Sequence, residues 1–349
     1  MFPQQINIDW RKIKNKPMPE TIKKKAILFV HGASYSNYAN SIDIFEQKLH
    51  KDFKDWKKVP HEKAEYSFQK NKSNVDVFFY KWKERAPIFS ERYLAHRFED
   101  SFRTFKYFLI DVHGSKDNRK LKRFILIGAF GLFLAWIIAF SACVYTLLKN
   151  FFSGVPLPED ILKSYSLFVF LLIHTIRLFY PHQEIMNLAF LFFAYDKNFY
   201  VNGIDCKDHL LTPLEILIKE IIESKLYSKV ILVGQSMGGV LLSDATINIE
   251  KSLKNEAEKK AIKSKIKLIT AGSPHGLLNS SSTESKILDS TTWDFHFCSK
   301  DYLHTLIPEK HAKRIELPYK KKWLSIGHYF EPYHLQYLRT INFKEELNL

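Results

Sequence analysis

Cysteine is scarce: a chain of 349 residues carries three, at Cys143, Cys206 and Cys298, odd in number and widely separated. Neither a disulfide framework nor a zinc-binding pattern can be built on them. His61-Glu62 does not begin a helical zinc motif either, because Glu65 stands where the second histidine is needed. Residues Met1 to Trp10 lack the apolar stretch of a secretory signal. These absences point to a reducing, cytosolic setting for the bulk of the chain, and to no metal. No internal repeat is visible, and no nucleic-acid-binding motif. Negative charge is also in short supply: 37 Asp and Glu face 52 Lys and Arg, a net +15. With nucleic acid not expected, such a balance suits an anionic membrane surface, although most single lysine runs read as solvated faces.

Apolar residues, by contrast, make up 46% of the chain, enough for a sizeable core in one large domain or two modest ones. The chain is organised around Lys229 to Val240. Val230 to Val233 reads as a buried strand, Gly234-Gln235-Ser236-Met237-Gly238 fits G-x-S-x-G, and a helix continues from Gly239. A serine on a sharp strand-to-helix turn takes a strained backbone, so the residues two before and two after it must be small. Gly234 and Gly238 supply that room. The turn lifts the Ser236 hydroxyl to the start of a helix, where N–H groups favour developing negative charge. A glycine-rich turn without chemistry is the competing reading, and the flanking strand and helix weigh against it.

In chain order, residues 1–25 form a polar, basic arm. Ala26–Val30 is a short buried strand ending in His31-Gly32-Ala33, residues 40–57 have helical spacing, and Val75–Tyr80 is a second strand. Lys81 to about Gly114 reads as charged, aromatic-rich helix. After the insertion described next, Asp208–Tyr227 is an amphipathic helix, and Lys251–Lys263 a charged helix end or loop. Ile266–Thr270 is a strand ending at Gly272-Ser273-Pro274-His275-Gly276, Trp293–Cys298 another, Arg314–Leu317 the last, before a closing helix through Leu338. Strands alternating with helices predict an α/β fold with a mostly parallel, doubly wound sheet. The catalytic domain would comprise 26–115 and 201–349, with 116–200 inserted.

The insertion opens with Lys116, Arg119, Lys120, Lys122 and Arg123, followed by an uncharged run from Phe124 to Leu148. At ~1.5 Å per residue that run extends ~37 Å as helix, enough for a bilayer core of about 30 Å with some tilt. Ile161–Tyr180 is a weaker second span, interrupted by Lys163, His174 and Arg177. Ile185–Tyr195 is too short to span and suits the interface. The strands at 75–80 and 229–233 belong to one sheet, so the insertion crosses an even number of times or only dips in. A helical transmembrane hairpin follows, with Lys116–Arg123 and both halves of the catalytic domain facing the cytoplasm. The insertion leaves at the edge where Ser236 is expected, which would turn the pocket mouth toward lipid.

A serine nucleophile needs a base within hydrogen-bond reach. Ser236 is followed by Asp301 and His328, each just past a predicted strand end, where groups meet at the carboxyl edge of a parallel sheet. His328 would take the proton from Ser236, and Asp301 would fix the imidazole tautomer. Asp294 and Asp289 are alternatives for the acid, and His334 and His304 for the base. The N–H groups of Met237 and Ala33 are the candidate oxyanion donors. His31, Gly32, Ser273 and His275 would line the pocket, with a loop-shaping role for His31 and a structural role for His275 as alternatives.

Taken together, the strand-His31-Gly32 pair, the Gly234–Gly238 elbow, Gly272–Gly276, the late Asp301 and Gly327-His328 make the chain resemble a lipase or esterase of the α/β-hydrolase fold. The resemblance covers roughly residues 26–83 and 204–345. It implies serine-dependent ester hydrolysis through an acyl-enzyme, with no metal or organic cofactor. Two departures stand out: no strands are evident before Ala26, which would leave the sheet short on that side, and the insertion is unusual. The expectation is a membrane-anchored serine hydrolase acting on acyl esters that partition into the membrane, with thioesters or peptides as variants. The competing classes are an inactive hydrolase fold serving as a membrane-bound scaffold, and a membrane-disrupting protein acting through its hairpin.

Overall fold

The computed structural model describes residues 23–32, 39–82, 194–197, 200–201, 204–275, 285–298, 310–317 and 337–349, with isolated positions between 141 and 152. Its centre is an eight-stranded sheet in the order β10-β9-β8-β7-β1-β4-β3-β2. These strands are β1 (Lys23–Val30), β2 (Lys57–Val59), β3 (Tyr66–Lys70), β4 (Ser73–Tyr80), β7 (Tyr227–Gln235), β8 (Ile266–Ala271), β9 (Trp293–Phe297) and β10 (Lys313–Glu316). All neighbours from β10 to β4 run parallel; β3 joins β4, and β2 joins β3, antiparallel. A separate two-stranded ribbon pairs β5 (Tyr200–Val201) with β6 (Ile204–Asp205).

Both faces of the sheet are covered, which is why its central strands read as unbroken apolar runs. Along β1, Ala26, Leu28 and Val30 join one buried cluster, while Ile27 and Phe29 join the other. The first cluster packs under α2 (Cys206–Glu223) and α3 (Met237–Ser252). The second is covered by α1 (Ala39–Asp52) together with Leu338, Ile341, Phe343 and Leu347 near the C-terminus, where α5 spans Phe343–Glu346. Phe29 stacks on Phe45 of α1 with ring centroids 4.0 Å apart, and Phe343 meets Phe45 edge-on.

Helix limits follow local chemistry. Asp205 caps α2 by accepting from Asp208 N at 3.0 Å. Asn255 caps α4 (Glu256–Lys265) by accepting from Glu258 N at 2.8 Å. Glu256 and Glu258 in its first turn and Lys263 and Lys265 in its last complement the helix dipole. The charged stretch read as a helix end or loop is therefore a capped helix of its own. A second expectation is also corrected: the sheet is not short beside β4. β2 and β3 extend it there, supplied from residues 57–70 rather than from the N-terminal side of β1. Asn71 turns β3 into β4 at φ 52°, a left-handed conformation that asparagine tolerates.

Among the described residues, no helix is long and apolar enough to cross a membrane. The runs 124–148 and 161–180, on which the hairpin expectation rests, lie outside them apart from isolated positions between 141 and 148.

Candidate active site

Strand register decides which residues meet. Val30, the last residue of β1, lies opposite both Tyr80 and Gly234. Gln235, at the end of β7, lies opposite Ala271 at the end of β8, and Ala271 opposite His296. The carboxyl ends of β1, β4, β7 and β8 are thus flush. His31-Gly32, Lys81-Trp82, Ser236 and Gly272-Ser273 all emerge at one edge.

Ser236 occupies the single turn residue between β7 and α3, at φ 52° and ψ −126°. This region is sparsely populated by residues with a Cβ and costs of order 1–3 kcal/mol. Its N–H extends the β7–β8 pairing by donating to Ala271 O at 2.9 Å, and its carbonyl accepts from Gly239 N at 3.0 Å. The backbone is held from both sides, so the strain persists. The side chain makes no capping bond to the helix it precedes.

Glycines let four backbones converge on this turn. A Cβ on Gly234 would sit 2.5 Å from Gly239 Cα, and one on Gly238 2.7 Å from His31 O. A Cβ on Gly32 would come within 2.9 Å of Ser236 Cβ, so the loop after β1 passes directly against the serine. Gly239 permits the approach of Ser273, whose Cβ would lie 3.0 Å from an added methyl group. Gly272 turns the chain out of β8 at φ 57°, a left-handed value that favours glycine, and so brings Ser273 to this position.

The wall beside Gly32 is braced. His31 is buried, and its Nδ1 lies 2.8 Å from Gly32 O. Its ring stacks on Trp82 with centroids 5.3 Å apart, and Trp82 Nε1 donates to His31 O at 2.6 Å. Trp82 is the first buried residue past β4 and carries no motif that would have singled it out. Gly239 was also missed, although the doubled glycine at 238–239 was visible.

His275 is enclosed in the core: Nδ1 is 3.5 Å from Ser243 Oγ, and the ring meets Trp293 edge-on at 5.2 Å. Burial lowers its pKa to about 3, so it stays neutral. His296 is likewise buried near the carboxyl end of β9, with burial as the main cause of a pKa lowered to about 4. Asp294 and Asp289 lie toward the opposite edge. Asp294 is opposite Ile269, two residues before the end of β8, and pairs with Lys267 at 2.8 Å. Asp289 pairs with Lys263 ahead of β9. Both carboxylates are committed to lysines away from Ser236.

No family model matches the chain, and no curated protein or solved structure matches it either. The site's meaning rests on its own geometry. Of the sequence-derived site residues, the structure brings together Gly234, Gln235, Ser236, Met237 and Gly238 with His31, Gly32 and Ser273. Ala33, Asp301 and His328, with the alternatives His304 and His334, lie outside the described residues. Among the described residues no cluster of His, Cys, Asp or Glu is arranged to hold a metal ion. Cys206 and Cys298 are free and buried.

Behind the turn, α3 is anchored by a buried carboxylate. Asp244 accepts from Tyr195 Oη at 2.7 Å and lies 3.9 Å from Lys207 Nζ. Burial raises its pKa. Tyr195 is the last residue of the apolar stretch that closes the insertion, so that stretch is tied to the helix carrying the elbow.

Proposed function

We propose that the chain is a serine hydrolase of α/β-hydrolase type, with Ser236 as nucleophile. The observation that carries this reading is the Ser236 backbone: a non-glycine residue at φ 52° in a strand–turn–helix junction, walled by Gly32 and fixed by hydrogen bonds on both sides. Strain of this kind persists where the surrounding fold imposes it, and such sites are commonly functional. The N–H of Met237, first in α3 and next to Ser236, would be one oxyanion donor, and Ala33 N–H the second. Losing one such donor typically costs about 10²–10³ in rate.

His328 serves as the base and Asp301 as the acid that orients it. With Asp289 and Asp294 engaged by lysines, Asp301 is the remaining one of the three carboxylates considered. The reaction is acyl transfer to Ser236 followed by hydrolysis of the acyl-enzyme, with no cofactor. Substrates are acyl esters that partition into the membrane: β4, the strand from which the chain runs on toward the insertion at 116–200, ends at the same edge as Ser236. Because β4 and β7, on either side of the insertion, share one sheet, its two ends lie on one side of a bilayer. That geometry suits a two-span hairpin with the catalytic domain in the cytoplasm.

An active-site fluorophosphonate tests the nucleophile. Wild-type protein should be labelled and Ser236→Ala spared; equal labelling of both refutes the assignment. Spin labels placed beside Gly32 should report proximity to the bilayer, and a position remote from lipid refutes the membrane-facing mouth.

A further inference from the structure

At the amino edge of the sheet, away from Ser236, lies an open groove of about 580 Å³. Lys229, Lys260, Lys263 and Lys267 line it, with Thr291 and Glu346 also on its walls. Its place follows from the strands. Lys229 starts the apolar part of β7 and Lys267 is the second residue of β8, both facing the side of the sheet that carries α5. Lys260 and Lys263 come from α4, whose basic end leads into β8. Ser236 lies seven positions beyond Lys229, about 23 Å at 3.3 Å per residue.

The lysines differ in how they are balanced. Lys263 is paired with Asp289, and Lys267 with Asp294. Among the described residues Lys229 and Lys260 have no such partner. Burial holds the Lys229 ammonium below its ordinary pKa; Glu346 opposes this and Lys267 adds to it. Glu346, the one carboxylate among the described residues of the groove wall, is itself half-buried, and burial raises its pKa. The groove therefore carries an excess of positive charge in a concave setting, with Lys229 partly dehydrated and Lys260 exposed at its rim. There an anion gains more than it would at a flat, solvated lysine face.

We propose that this groove binds a ligand bearing clustered phosphate groups, distinct from the substrate at Ser236. A single carboxylate could match only one of these two ammonium groups, whereas neighbouring phosphates can engage Lys229 and Lys260 together. Lysine contacts phosphate as a point charge, so the site selects for charge density rather than for a planar fork. The groove opens at the edge opposite the carboxyl end of β4, from which the chain runs on toward the insertion. That placement favours a free polyphosphate over a lipid headgroup in the bilayer that would hold the hairpin.

The test uses the full chain in nanodiscs of neutral lipid, titrated calorimetrically with inositol hexakisphosphate. Wild type should bind saturably, and Lys229→Gln/Lys260→Gln should weaken binding at least tenfold. Affinity should fall as salt is raised from 50 to 300 mM, as expected for phosphate held by lysine (order-of-magnitude range). A parallel arm measures binding to nanodiscs containing a phosphorylated inositol lipid; lysine-dependent binding seen there alone assigns the groove to a lipid headgroup and supports the phosphate chemistry. Absence of binding in both arms, or equal affinity of wild type and variant, overturns the proposal. Fluorophosphonate labelling of the double variant should match wild type, which separates this outcome from failure of the hydrolase assignment.

Discussion

Replacing Gly238 with alanine tests the architecture of the elbow more sharply than replacing the serine itself. The new methyl carbon would stand 2.7 Å from His31 O and 2.8 Å from the carbonyl carbon of Val30, with Val30 O nearer still. A comfortable carbon–oxygen contact is roughly 3.3–3.6 Å, so the end of β1 must move from α3 by at least roughly 0.6 Å, and further near Val30. Every obstructing atom is main chain, and both neighbours are tied: β1 is paired with β4 and β7 along its length, and Trp82 holds His31 O. The strain should cost about 1–3 kcal/mol of stability. The displaced segment is His31-Gly32, which leads to Ala33, the proposed second oxyanion donor. A misplacement of ~1 Å in a catalytic constellation can cost ~10²-fold. Gly238→Ala should therefore unfold at lower denaturant concentration, and its fluorophosphonate labelling rate and turnover of a short p-nitrophenyl ester should drop by about 10²-fold. If the variant labels, turns over and unfolds like wild type, the close approach of β1 to α3 is not a requirement and the reasoning fails.

Other outcomes follow from the same geometry. Ser236→Gly should remove all labelling while raising stability by about 1 kcal/mol, because glycine adopts φ 52° without the Cβ penalty; denaturant midpoints check this. His275 and His296 stay neutral in the folded protein, with pKa values of about 3 and about 4, but take up protons near pH 6.5 when unfolded. The stability this confers is present above pH 6.5 and is lost as pH falls toward those folded values. The slope is at most about 2.7 kcal/mol per pH unit while two protons are involved. Urea titrations between pH 7 and 5 should show it, and His275→Gln should reduce it. Tyr195→Phe deprives the buried Asp244 of its hydroxyl donor and should cost about 1–3 kcal/mol, read as a lowered unfolding midpoint. An unchanged midpoint would mean that the insertion does not brace α3.

The central part of this fold was legible because its signals are local and strong. Val230–Val233, the glycine-spaced Ser236 and the helix after it form a strand–turn–helix unit whose backbone demands are written in consecutive residues. β8 and β9 could be read for the same reason. β2 and β3 could not: Lys57–Val59 and Tyr66–Lys70 are short and polar, and they exist as strands because β4 offers an edge. α4 is hard to read as a separate helix because none of its residues is fully buried and it depends on Asn255 and its charge arrangement. Trp82 was invisible for a different reason. Its role is to hold His31 from a neighbouring strand, and only the parallel register of β1 with β4 reveals that pairing.

The position of β1 also has a consequence for biogenesis. It lies between β4, which leaves the ribosome soon after it, and β7, which appears only once the whole insertion has been made. For that interval a growing polypeptide carries a row of Ile27, Leu28, Phe29 and Val30 with one flank bare, the kind of open border that invites aggregation. Translation past Gln235 closes it. The centre of the sheet is therefore completed in the same step that sets the Ser236 turn.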